Sequence, residues 1–396
     1  MLDLNKVIKQ IKALENRGDH DGSGADLLSL ALSKFEEAIG DAAKFEEKLD
    51  GSEGTTWWPL AKSIEQFGTI CSISTKPPAK SLVVGVDGSQ IMPSHHEIYS
   101  CFLLNIGVSA ITYGIKKAPT LLSKPFLFHR PEDLYPLVDR RRMHIDELYV
   151  SLERYLLEFE ELAQTAITLK ENDMATLALF DGALIPWSLE KMPPTYVDQF
   201  IERAKNIYAL LRQNKVPVMG YISHSRSSEV VNMLRVYNCP YELSHCRNYC
   251  SELNEEDFPC STIWPLTDRH LFKNSLPANS RGPIFQSSAK MSQLFDAENR
   301  ICFSYLNVAS EVVRLEFPRW LASDKALLEQ AFILTLNQTS KGMGYPIVLT
   351  EAHHLAVIKN QERKQFFDLV AKQLLTLGVK RIAQSPKEQK KQTSFV

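Results

Sequence analysis

The sequence predicts an α/β protein: a mixed β-sheet flanked by helices, with a helical hairpin ahead of it and a Cys- and Pro-rich insertion within it. Three observations lead there. The run Ser81-Leu82-Val83-Val84-Gly85-Val86 ends in Asp87-Gly88 and reads as a buried strand with a carboxylate at its tip. A near copy, Leu177-Ala178-Leu179-Phe180, ends in Asp181-Gly182. Around these two strands, helix and strand periodicities alternate, as they do in a sheet covered by helices.

In chain order, Leu4, Val7, Ile8, Ile11 and Leu14 recur at helical spacing up to Gly18. The loop from Gly18 to Gly24 carries Asp19 and Asp21 but lacks the length and closing Glu of a calcium loop. A second amphipathic helix follows over roughly 26–49, and together the two form an accessory hairpin for partner contact or dimerisation. Lys76-Pro77-Pro78-Ala79-Lys80 leads into the core. Three strands are expected from Leu82 to about Lys116, the second and third around 97–107 and 108–115. The stretch 126–137 reads as irregular and 139–170 as one long helix. The Asp181 strand comes next, then a helix over about 197–213, a strand at 216–223 and a helix at 227–236. Residues 237–289 are loop-rich. A strand pair at 301–308 and 311–317, a helix at 324–338 and a helix at 346–358 complete the core. The expected organisation is a helical region 1–75, a core domain 80–380 with its insertion at about 237–289, and a polar tail 381–396.

With 396 residues, 44% apolar and 23% charged, the chain has material for an ample core. Its net charge of −2 provides no global field for a polyanion, so any nucleic acid must be met by a local patch or through a partner. The first residues lack a signal-peptide pattern, and no apolar run is long enough for a membrane span. Seven cysteines in such a chain are expected as thiols, and the cytoplasm is the expected compartment.

An isolated Asp-Gly is most often a turn. Two copies, each after a buried strand, place two carboxylates side by side at one sheet edge, which is how proteins hold Mg²⁺ or Mn²⁺ against phosphate. A third acid is expected on the helix before the Asp181 strand. Comparing the rise of strand and helix favours Glu147 or Glu153 over Glu158, Glu160 and Glu161, which sit nearer the helix end; a solvated helix face is the competing reading for each. Ser223, Ser225 and Arg226, at the start of the helix near 227, suit a phosphate oxygen, although the same serines serve as helix caps. Tyr345 and His353 are eight apart on one helix face. His353 there could bind a metal, hold a phosphate, activate water or simply pack in the core. Cys239, Cys246, Cys250 and Cys260 lack the paired C-x₂-C spacing of common zinc sites and are expected as buried thiols. His95-His96-Glu97 can aim only one of its neighbouring His residues at Asp87 if it lies on a strand.

Taken together, Val86-Asp87-Gly88-Ser89, Phe180-Asp181-Gly182-Ala183-Leu184, Gly220-Tyr221-Ile222-Ser223 through Arg226-Ser227, Arg314-Leu315-Glu316-Phe317-Pro318, Tyr345-Pro346 and Ala352-His353 resemble the NurA nuclease domain, from about Leu82 to Phe367. The resemblance implies an RNase H-like core. It also implies a metal-dependent, Mn²⁺-using (or Mg²⁺-using) deoxyribonuclease, a 5′–3′ exonuclease with single-strand endonuclease activity that resects DNA ends in break repair. As partners it implies a second copy of the chain and a HerA-type hexameric translocase. Asp87, Asp181 and a helical Glu, with Glu147 favoured over Glu153, match the metal ligands, and Tyr345 and His353 match the C-terminal active-site residues. His224 stands where the family often has Lys, and the Cys-rich insertion has no counterpart. The competing readings are an inactive NurA-like DNA-binding adaptor, which a missing third acid would favour, and another RNase H-like enzyme such as a resolvase, which should be more basic.

Overall fold

The computed structural model describes residues 3–15, 21–93 and 100–377. Asp19, His95-His96-Glu97 and the tail 381–396 lie outside the described residues. The chain divides into two compact units: one of residues 1–72, 223–290 and 302–314, the other of 73–222, 291–301 and 315–396.

The second unit is built on a mixed sheet flanked by helices. Its strands are β1 (Ser81–Ile91), β2 (Phe102–Tyr113), β3 (Thr120–Phe128), β4 (Ala175–Asp181) and β5 (Val218–Ile222), in the spatial order β3-β2-β1-β4-β5. β1, β2 and β3 form an antiparallel meander, while β4 runs parallel to β1 and β5 parallel to β4. Leu82, Val83, Val84 and Val86 are all at most 1% exposed, so both faces of β1 are covered. Each such side chain contributes roughly 1.5–3 kcal/mol on burial.

Two helices position the site. α1 (Glu147–Leu169) packs on β1, and α2 (Ile347–Ala356) packs on β1 and β2. α1 starts at Glu147 because the Asp146 carboxylate accepts the Tyr149 N–H at 2.8 Å, an N-cap that ends any extension towards residue 139. Residues 137–142 form a small hairpin instead. α2 is tied at both ends: the Val348 N–H donates to the Gln338 side chain at 3.3 Å, and Asn105 Nδ2 donates to the Leu355 and Ala356 carbonyls at 3.1 and 2.9 Å.

The expected meander differs in detail. Residues 102–113 form one strand, not two, and the third strand is 120–128, close to where an irregular stretch was expected. Likewise, Asp87-Gly88 lies within β1, which continues to Ile91, and does not close it. An additional helix spans Asn360–Thr376.

In the other unit the helices Asp21–Gly40 and Ala42–Gly51, separated at Asp41, pack on the helix Glu229–Tyr237. Phe35, Phe45, Phe67, Phe272, Phe285 and Phe303 form its aromatic core. The N-terminal hairpin therefore spends much of its apolar face inside the chain, while Leu4, Ile8 and Ile11 of the first helix remain exposed. No helix among the described residues is long and apolar enough to cross a membrane.

Candidate active site

The parallel register pairs Val86 with Phe180, so Asp87 and Asp181 stand level on adjacent strands. Each is held from the C-terminal segment. His353 Nδ1 lies 2.7 Å from Asp87 Oδ2, and the Tyr345 hydroxyl donates to Asp181 Oδ1 at 2.8 Å. The Tyr345 ring stands edge-on to Tyr221, with centroids 5.4 Å apart. The sequence placed these four side chains as one constellation, and the fold brings them together.

The glycine after Asp87 has a steric purpose. Successive strand residues face opposite sides, so Asp87 faces α2 and Gly88 faces α1. A Cβ on Gly88 would stand 2.2 Å from Glu158 Oε1 and 2.9 Å from Arg154 Cγ. Only the bare backbone leaves room for Glu158 to lie against the strand. Glu158 is 8% exposed, and its carboxyl is pushed up to about 8 by burial and by the charges of Asp87 and Asp181, against the opposing pull of Arg154. Arg154 Nε lies 3.1 Å from Glu158 Oε1 but off the line a hydrogen bond needs, so that buried oxygen has charge beside it and no donor. Crowding by protein also raises the Asp181 carboxyl; the Tyr345 hydrogen bond opposes this and the Asp87 charge adds to it.

Glu158, not Glu147 or Glu153, is therefore the helical acid beside the pair. Glu147 sits exposed in the first turn of α1, eleven residues from Glu158, roughly 17 Å along the axis. Glu153 is engaged elsewhere, accepting from the Tyr196 hydroxyl and from Arg203, each at 2.8 Å. The comparison of rises was nearly right. Six strand steps from Ala175 to Asp181 cover roughly 20 Å and eleven helical steps back from Leu169 to Glu158 roughly 17 Å. The remainder is spanned because helical side chains lean towards the helix N-terminus. That lean was the signal that would have found Glu158.

Of the expected phosphate contacts, all in the other unit, Ser225 is buried and accepts the Ser227 N–H at 3.2 Å, and the Ser223 hydroxyl donates to Glu311 at 2.7 Å. The following helix does not present free N–H groups at Val230 and Val231, because the buried Asp268 carboxylate accepts both at 3.0 and 2.8 Å. Ser225 is thus removed as a contact and only Arg226 remains exposed. Cys239, Cys246, Cys250 and Cys260 are free thiols around a small cavity lined also by Trp58 and Arg235.

Two level carboxylates, with a third buried carboxyl whose Oε1 has no hydrogen-bond donor, fit a hard divalent cation. Among the described residues no three His, Cys, Asp or Glu groups are placed to hold a metal ion by themselves. Mg²⁺ and Mn²⁺ need no such set, since one or two carboxylates, waters and substrate phosphates satisfy them.

Fold and site together define a protein of the class that sets acidic side chains on a mixed sheet between helices. The NurA domain model matches residues 81–358, and the chain belongs to that family. The crystal structure of the NurA nuclease from Sulfolobus solfataricus shares the fold, with a TM-score of 0.50 and 11% identity over 96% of this chain and 100% of that one. A crystal structure of NurA (12% identity, 78% of this chain, 91% of that chain) and one of NurA with manganese (11%, 85% and 98%) each align with a TM-score of 0.35. No curated protein matches the chain.

Proposed function

We propose that this chain is a divalent-metal-dependent deoxyribonuclease that trims DNA ends during break repair. The observation carrying this reading is the level pair Asp87 and Asp181, each held by a hydrogen-bonding group of the C-terminal segment, with Glu158 buried behind. Family membership supports nuclease chemistry. Asp87 and Asp181, with Glu158 as the third acid, would hold Mn²⁺ or Mg²⁺, which supplies positive charge against the phosphate and lowers the pKa of the attacking water. Tyr345 fixes the Asp181 carboxylate through its hydroxyl. His353, exposed at its other ring edge, orients Asp87 through Nδ1 and is placed to carry a proton to or from water or the leaving oxygen. We further propose that the enzyme digests 5′ to 3′ in the cytoplasm as a homodimer fed by a hexameric translocase; the net charge of −2 supports a partner that supplies DNA affinity.

The test is digestion of end-labelled single- and double-stranded DNA with Mn²⁺, Mg²⁺ or EDTA, with Asp87→Ala beside the wild type. Metal-dependent shortening that the substitution abolishes is the expected result, and the label reports polarity. Absence of cleavage even with a cognate translocase and ATP overturns the reading in favour of an adaptor role.

A further inference from the structure

The hairpin Leu137–Arg142, just ahead of α1, is a feature of the second unit that the site described above does not use. Leu137 pairs with Arg142 and Val138 with Arg141 around a two-residue turn, Asp139-Arg140. Both turn residues have positive φ, 51° and 61°, a conformation that such hairpins normally give to Asn-Gly. Here Arg occupies the strained position, and the turn is fastened by a hydrogen bond from the Thr195 hydroxyl to the Asp139 carboxylate. The result is three consecutive exposed arginines, Arg140, Arg141 and Arg142, in a chain whose net charge is −2. Among the described residues none of the three pairs with a carboxylate. Arg141 and Arg142 line an open groove of about 470 Å³ with Val138, Asp139, Met143 and Pro193, the Asp139 carboxylate being engaged by the Thr195 hydroxyl.

This hairpin is connected to the carboxylates along one track. From Asp181 the chain runs beside the N-terminal half of α1: the Tyr155 hydroxyl donates to the Leu184 carbonyl at 3.2 Å, the Tyr196 hydroxyl donates to Glu153, and Thr195 reaches Asp139. Trp187 lies midway on that track, six residues beyond Asp181, and is 46% exposed. An indole presented to solvent on the segment that runs from Asp181 to Thr195 offers a flat face for an unpaired base.

We propose that Arg140, Arg141 and Trp187 form the path by which a single DNA strand reaches Asp87 and Asp181, the arginines taking backbone phosphates and Trp187 stacking a base. This rests on the nuclease reading of the site. Inside a duplex the bases are stacked on each other and only the terminal pair shows a face, so the path favours unpaired strands.

The experiment measures binding of a labelled oligothymidylate and of a blunt duplex to the full-length protein in EDTA across a salt series, with melting temperatures as the folding control. Trp187→Leu is expected to weaken oligothymidylate binding about tenfold or more and to leave the duplex unchanged, with Trp187→Phe restoring most of the loss. Quenching of wild-type tryptophan fluorescence by the oligothymidylate should be diminished in Trp187→Phe. The double variant Arg140→Gln, Arg141→Gln should lower the slope of log affinity against log salt by about 1.4. Equal weakening of both DNAs by Trp187→Leu, or an unchanged salt slope, overturns the path. Cleavage assays on the same proteins separate the two readings. Strand-selective binding without any cleavage by the wild type sinks the nuclease and leaves the path. Wild-type cleavage with indifferent variants does the reverse.

Discussion

Gly107→Ala should disable the site from a position that touches neither DNA nor carboxylate. Gly107 pairs across the ladder with Asp87 and faces α2. A Cβ there would stand 2.1 Å from the Ala352 carbonyl oxygen and 2.6 Å from the Ala356 nitrogen. Both are backbone atoms of the helix that carries His353, so no side chain can swing away. Carbon–oxygen contacts settle at roughly 3.3–3.6 Å, which demands that α2 move by about 1.2–1.5 Å. Overpacking of this kind costs roughly 1–3 kcal/mol of stability. The 2.7 Å contact from His353 to Asp87 cannot survive such a shift, and misplacement by about 1 Å costs roughly a hundredfold in rate. Urea unfolding and metal-dependent digestion of end-labelled DNA, run in parallel, read the two effects. Gly40→Ala is the control, because a Cβ there meets nothing within 4 Å; it should be at least as stable as the wild type. A Gly107→Ala protein that cleaves at the wild-type rate would refute the claim that the glycine exists for the approach of α2.

Further outcomes follow from the same geometry. Glu158→Gln should lose cleavage by tenfold or more, while Glu147→Gln keeps it, and equal rates for the two would return the third acid to an open question. Tyr345→Phe removes the hydrogen bond to Asp181 and should slow cleavage with little change in melting temperature. Glu153→Ala should act through stability, by roughly 1–3 kcal/mol in urea unfolding, because it strips Tyr196 of its acceptor and leaves Arg203 with Glu160 alone. Asp268 carries a pH signature: burial pushes its carboxyl up to about 6, against the hydrogen bonds from Val231, Tyr305 and Val230 and the charge of Arg314. The folded state therefore binds more protons than the unfolded one between about 4 and about 6, and stability contributed by this group is lost as pH rises through that window, by about 3 kcal/mol. Asp268→Asn should flatten the corresponding part of the stability-against-pH curve, measured as the difference from wild type.

Much of this architecture was legible because the central strands are apolar runs that lead into an acid, Asp87 within one strand and Asp181 at the end of the other. Asp87, Asp181, Tyr345 and His353 could be grouped through the resemblance of their motifs, taken in order, to the NurA family. What escaped was set by three dimensions. The strand Thr120–Phe128 is an edge strand, largely exposed and interrupted by Lys124-Pro125, so it lacks the alternation of a half-buried strand. Gly107 reads as a break in sequence, but it is where a helix backbone comes close. The capping of Val230 by Asp268, 38 residues away, leaves no local trace. Glu158 was missed because the estimate followed Cα positions and ignored the lean of a helical side chain.

The site is assembled from segments far apart in the chain, and its last contributor is α2, near residue 350. A ribosome delivers β1 first and α2 almost last, so a growing chain holds Asp87, Glu158 and Asp181 long before Tyr345 and His353 exist to orient them. A chain with the proposed nuclease activity is thus built with its site incomplete, and the site closes only when the last helix docks onto strands already in place. The bare backbone at Gly107 is the berth for that final step.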